Sequence, residues 1–239
     1  MSTELRSAFH EDLESVRQAI VRMGGRVTEA IPRGTEAFLD NDLRAAQLII
    51  DDDDILDQLA LETEERIYGI IALQSPVASD LRAVTAALWM TAEIERSGDL
   101  VVNIAKATRR IYGTQFTPRL RGLIEQMSDE AARLFKYAID AYIDGDAGLA
   151  AALDDIDDRL DELNSRTVQA VFEEYEGGEG SSLQVSVQLA LICRYYERIG
   201  DHAVNMGERV RYMVDGWLPE HTGAARAAVR AQSEAEPEE

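Results

Sequence analysis

Two short stretches hold the residues whose types and spacing could do chemistry. Residues 95–103 read Glu-Arg-Ser-Gly-Asp-Leu-Val-Val-Asn and residues 197–205 read Glu-Arg-Ile-Gly-Asp-His-Ala-Val-Asn, so six of nine positions agree at an offset of 102. A second echo precedes each stretch. Asp53-Asp54-Ile55-Leu56-Asp57-Gln58-Leu59 corresponds to Asp157-Asp158-Arg159-Leu160-Asp161-Glu162-Leu163 at an offset of 104. On a helix, Glu95, Asp99 and Asn103 stand at successive steps of four and form one oxygen-bearing ridge; Glu197, Asp201 and Asn205 do the same. The pairs Asp53 with Asp57 and Asp157 with Asp161 share that spacing. Carboxylates drawn toward an apolar seam repel one another and lose water, at a cost of several kcal/mol per ion. Three remedies exist: protonation, pairing with Arg or Lys, or a bound cation. Hard divalent ions accept oxygen clusters of this kind.

The elements that must position these groups are helices. Glycine and proline are scarce within long amphipathic stretches, and strand-like alternation is nearly absent. Six helices are predicted: about Ser7–Leu39, disturbed at Gly24-Gly25 and Pro32; Asp42–Leu73; a third starting at Ser75-Pro76 as N-cap and first-turn proline and running to Tyr112; Pro118–Ile143; a fifth from the Asp144-Gly145-Asp146 turn to Glu176; and Ser182–Asp215. Leu81, Leu88, Glu95 and Val102 are seven apart, as are Leu183, Ala190, Glu197 and Val204, which places each glutamate on an inward stripe. Ile49, Leu56, Thr63 and Ile70 mark the inner row of the second helix, with Asp53 beside it. Leu153, Leu160 and Thr167 frame Asp157 and Asp161 in the same way. Gly98 and Gly200 carry a helix-propensity cost of roughly 0.5–1 kcal/mol each, which points to close approach of a helix or an ion. The duplication predicts an all-α fold of two pseudo-symmetric three-helix bundles, residues 1–114 and 115–218, with a disordered acidic tail over 219–239.

Composition excludes several roles. With 45 Asp+Glu against 24 Lys+Arg and a net charge of -21, the chain lacks the basic cluster that nucleic acid requires. Basic protein surfaces and divalent cations are its natural complements. Cys193 is the one cysteine, so neither an internal disulfide nor a Cys-based zinc site is expected, and its apolar run marks it as a small buried hydrophobe. No secretory leader and no apolar run of membrane-spanning length is evident, so a cytoplasmic location is expected, with any membrane association made through a partner.

The residues quoted resemble the PhoU family of phosphate-specific transport accessory proteins, over about Ser7 to Trp217. Glu-Arg-x-Gly-Asp-x3-Asn, present twice, is similar to that family's repeated signature. Ser75-Pro76-Val77-Ala78-Ser79-Asp80-Leu81-Arg82 is similar to the segment opening its third helix, and Met23-Gly24-Gly25 to a triplet in its first. The resemblance implies a frequently dimeric protein that binds metal through paired Glu/Asp-x3-Asp motifs. It implies restraint of phosphate-starvation signalling by linking the ATPase subunit of the phosphate ABC transporter to a sensor histidine kinase, without catalysis. Carried onto this chain, one metal site would use Asp53, Asp57, Glu95, Asp99 and Asn103, and the other Asp157, Asp161, Glu197, Asp201 and Asn205. The ion would be magnesium, manganese, iron, zinc or calcium. Ser182 stands where Asp80 stands in the first half, so any role for Asp80 is one-sided.

Two other functions fit a helical chain rich in carboxylates. A di-iron oxidase asks for Glu-x2-His on two helices, and His10, His202 and His221 do not supply it; His202 matches Leu100 and is expected at the seam edge. A metal-free acidic scaffold would leave the same carboxylates at the bundle edge, paired with Arg96, Arg198, Arg82 or water. No nucleophile elbow or phosphate-cradling glycine loop is present.

Overall fold

The computed structural model describes residues 2–175 and 180–217, in six helices: α1 Ser2–Leu39, α2 Leu43–Gln74, α3 Ser79–Arg110, α4 Pro118–Asp144, α5 Ala147–Tyr175 and α6 Gly180–Asp215. The tail over 219–239 and the breaker over 176–179 lie outside the described residues. So does the side chain of Ser182.

Local chemistry sets the boundaries. Asp42 caps α2 by accepting from the Arg44 and Ala45 amides, and Asp146 accepts in the same way from Gly148 and Leu149 before α5. Left-handed Asn41 (φ 56°) and Gly145 (φ 62°) precede these caps, so the duplication extends to the turn between the first two helices of each half. Thr117 caps α4, with Pro118 at its first position. The third helix departs from expectation. Pro76 bars Ser75 from the right-handed helical region, and Ser75 (φ 47°) ends α2 as a left-handed cap. Ser75-Pro76 therefore closes one helix, and α3 opens at Ser79. Helix α1 runs unbroken through Gly24, Gly25 and Pro32. Its packing against three other helices outweighs the amide missing at Pro32.

Each half is a three-helix unit, and the halves join through α1 with α4 and α3 with α6, leaving α2 and α5 on the flanks. One continuous apolar core links all six helices. Where α1 crosses α4, a Cβ on Gly24 would strike Ile139, so the glycine permits the close crossing. At the counterpart positions, 104 residues apart, the crossing is polar: Thr35 Oγ1 lies 2.7 Å from both Ser128 Oγ and Tyr196 Oη.

Candidate metal centre

The inner row of α2 is as the spacing predicts: Ile49, Leu56, Thr63 and Ile70 are all buried. Leu153, Leu160 and Thr167 of α5 are buried likewise. The stripes predicted for α3 and α6 are not inner rows. Of Leu81, Leu88, Glu95 and Val102 only Val102 is buried, Leu183 is 65% exposed, and Ala190 is exposed. An ideal helix drifts about 20° per seven residues, so each row begins in solvent, at Leu81 or Leu183, and winds inward only toward Val102 or Val204. Glu95 and Glu197 sit on the rims of the α2–α3 and α5–α6 seams, half-buried, with Asp99 and Asp201 exposed one turn on.

Across each seam stands one half-buried aspartate facing a glycine. A Cβ on Gly98 would strike Leu56 and come to 3.5 Å from Asp53 Oδ1. A Cβ on Gly200 would strike Asp157 Oδ1 and lie 2.7 Å from Leu160 Cδ2. Both glycines thus allow a carboxylate of the flanking helix to lie against the backbone of α3 or α6. Asp53 is the inward member of the acidic run, since Asp52 faces Arg33 at 4.0 Å and Asp51 accepts from Gln47.

Burial, and then neighbouring negative charge, disturb these groups. Burial, Asp57 and Asp99 raise the Asp53 carboxyl to about 6, against an opposing pull from Lys106. Burial, then Asp161 and Asp201, raise Asp157 to about 7. Glu95 is raised by burial and by Asp99 and Asp57, while Asp161 and Asp201 are raised by burial and by Glu197. The mutual influence shows that the predicted carboxylates share two electrostatic neighbourhoods, one in each half. Asp157 Oδ1 is buried without a hydrogen-bond partner. Among the described residues, however, no three Asp, Glu, His or Cys side chains are gathered closely enough to hold an ion as they stand. Asn103 is half-buried on the α3 ridge. Asn205 is exposed on α6, on the side where it helps hold the Glu93 carboxyl down against burial.

The clusters differ in their basic neighbours. Arg194 contacts Glu197, which also receives Asn164 Nδ2 at 3.5 Å. The first-half counterparts of Arg194 and Asn164 are Ala92 and Ala60. Arg96, a partner of these carboxylates in the metal-free alternative, pairs with Glu93 at 3.7 Å while its charge also acts on Glu95, and Arg82 turns to the Met213 carbonyl.

The α3–α6 interface holds a polar group that duplication conceals. Glu93, Ser97 and His202 are all buried; Ser97 Oγ lies 3.0 Å from His202 Nδ1, and His202 Nε2 lies 3.8 Å from Glu93 Oε2. His202 is therefore an interface residue, not a seam-edge one. Burial, then Arg198 and Arg96, depress the imidazole to about 4, and burial raises Glu93. Their counterparts Tyr195, Ile199 and Leu100 are largely apolar, so no repeat marks the site. The available signal was Glu93 and Ser97 four apart on a row with Met90 and Leu100. Cys193 is buried and free, its thiol pushed up to about 12 by burial.

A cavity of about 130 Å³ adjoins the first cluster, lined by Arg26, Arg33, Asp52, Asp53, Leu56 and Gly98 among others. No described helix is long and apolar enough to cross a membrane.

The PhoU domain model matches twice, at residues 20–108 and 124–210. The chain is 35% identical over 216 residues to the phosphate-specific transport system accessory protein PhoU homolog 1 of Mycobacterium tuberculosis, covering 90% of this chain and 96% of that one. The crystal structure of PhoU from Pseudomonas aeruginosa superposes with a TM-score of 0.81 at 27% identity, covering 87% of this chain and all of that one (100%). The phosphate transport system regulatory protein PhoU from Streptococcus pneumoniae shares the fold, with a TM-score of 0.79 at 24% identity over 88% of this chain and 98% of that one. Two matched domains, one in each half around its own carboxylate seam, make this chain a member of the PhoU family.

Proposed function

We propose that this chain is a regulatory accessory protein of phosphate transport, which restrains uptake and starvation signalling by linking the ATPase subunit of the phosphate ABC transporter to a sensor histidine kinase. The observation that carries the reading is the doubled domain match, together with relatives whose names state the transport role over nearly the whole chain. The role is one of binding and reporting, without catalysis. It suits a cytoplasmic homodimer that meets the membrane only through its partners.

Metal belongs to the same proposal. The donors are oxygens of the kind that hard cations accept, and the orphaned Asp157 Oδ1 with the raised carboxyls of Asp53 and Asp157 fits a site lacking positive charge. Asp53, Asp57, Glu95, Asp99 and Asn103 would hold one ion, and Asp157, Asp161, Glu197 and Asp201 another. Asn205 would complete the second set. An ion would remove like-charge repulsion and draw the carboxylates together, stabilising the surface that partners read. Arg194 on Glu197 favours a second reading, a metal-free scaffold neutralised from within, for the second half alone.

Metal analysis of the purified protein tests the metal part: bound manganese should fall in Glu95→Gln and again in Glu95→Gln/Glu197→Gln. Co-purification with the transporter ATPase and the sensor kinase tests the adaptor role. Absence of both partners under phosphate-replete conditions would overturn it.

A further inference from the structure

Each seam opens outward as a groove, and both grooves carry exposed apolar side chains at matching places. On α2, Asp57, Leu61, Glu64 and Tyr68 follow at steps of four, three and four, and so share one stripe. Glu64 acts on Glu95 across the seam, so this stripe borders α3. The α3 row Leu81, Leu88 and Glu95 borders it from the other side. Residues 75–78 join the two helices in a short turn, so they run antiparallel. Both rows are therefore acidic toward one end of the groove and apolar toward the other. Leu61 is 53% exposed, Tyr68 55% and Leu81 39%. The offsets that relate the carboxylates also relate these residues: Phe172 stands for Tyr68 and Leu183 for Leu81, each 65% exposed. Large apolar side chains left in water at the same places twice mark surfaces that a partner covers.

Charge states the partner's chemistry. Helices α2 and α5 each carry eight acidic residues against two arginines. Arg96 and Lys106 act on the first acidic group and Arg194 on the second, too few to offset that surplus. From Leu81 to Glu95 the row spans about 21 Å, the length of a helix of about four turns. We propose that each groove takes one basic, amphipathic helix of a partner protein. Its apolar face lies on Tyr68 and Leu81, or on Phe172 and Leu183, and its Lys or Arg side chains point toward Glu95 or Glu197. The inference rests on the adaptor reading above and deepens it, because two equivalent grooves let one chain hold two partners at once. Apolar contact supplies the affinity, and the acids set orientation and speed of approach. Ser165 and Ala190 replace Leu61 and Leu88 in the second groove, which should bind the more weakly.

Calorimetric titration of the full-length protein tests this with a synthetic peptide of about 14 residues. Its leucines and lysines are placed to give one apolar helical face, and a scrambled peptide of the same composition is the control. Two peptides should bind per chain, and the scrambled one about tenfold more weakly. Tyr68→Ser/Leu81→Ser should leave only the second groove occupied, and Phe172→Ser/Leu183→Ser only the first. Glu64→Lys should weaken the first groove without touching its apolar side chains, which decides the matter if a serine variant fails to fold. Equal binding of the scrambled peptide, or binding unmoved by these variants, overturns the proposal. So does a wild-type dimer that Tyr68→Ser/Leu81→Ser turns into a monomer in analytical ultracentrifugation, since a second copy would then cover the groove. Peptide bound at both grooves of a protein that co-purifies with neither the transporter ATPase nor the sensor kinase supports the grooves and overturns the adaptor reading alone.

Discussion

The two seams, α2 against α3 and α5 against α6, descend from one pattern and solve the same packing problem differently. At Gly98 a new Cβ meets the flexible end of Leu56, whereas at Gly200 it meets a carboxylate as well as Leu160. Two turns further along α6, a Cβ on Gly207 would lie 2.6 Å from Leu153 Cδ1 and 2.8 Å from the Ala150 backbone carbonyl, and its counterpart in α3 is Ala105. The second seam is therefore closer, and the inner aspartates differ in their charged neighbours: Lys106 pulls the Asp53 carboxyl down, whereas Asp154 adds to the rise of Asp157. That seam also carries a base, Arg194, on its outer rim.

The largest effect that separates the halves should come from Gly207→Ala. Backbone cannot retreat as a leucine tip can, so we expect a loss of about 1–3 kcal/mol in urea unfolding. Gly98→Ala should cost less, because Leu56 can turn aside and alanine favours the helix. Equal losses at the two sites would remove the asymmetry of the seams. Next in size are the duplicated caps: Asp42→Ala and Asp146→Ala should each lower stability by about 1 kcal/mol, and a large gap between them would show that the paired turns are not energetically alike.

A smaller, pH-dependent difference should follow from the inner aspartates. A carboxyl raised in the folded state favours folding while it is protonated, so its contribution is fully present below the unfolded value, 3.8, and lost as pH rises through about 6 for Asp53 and about 7 for Asp157. Metal-stripped Asp157→Asn should therefore gain on the wild type as pH rises from 4 to 7.5, with Asp53→Asn gaining less and completing its gain at lower pH. Thermal unfolding across that range checks both. A wild-type advantage that grows with pH would reverse the sign.

Much of this architecture was legible because helices leave periodic marks and a duplicated unit prints them twice. The inner rows of α2 and α5 were readable from Leu56 and Leu160 outward, whereas four consecutive aspartates, 51–54, left little in the sequence to separate Asp53 from Asp52 or Asp54. The α3 and α6 stripes were misplaced because seven-residue spacing follows a drifting line, which carried Leu81 and Leu183 to the surface. Ser75-Pro76 suits either the end of one helix or the start of the next, and only the left-handed Ser75 decides between them. The Glu93–Ser97–His202 group was hidden because one interface of unlike helices needs no echo in the other half.

The most direct test of the metal-binding claim is the melting temperature of metal-stripped protein at pH 7.5, measured as manganese is added. An ion held by the folded state alone should raise Tm progressively with the logarithm of its concentration. Glu95→Gln/Glu197→Gln protein should lose that rise. A wild-type Tm unmoved by saturating manganese, calcium and magnesium would contradict a cation at these seams.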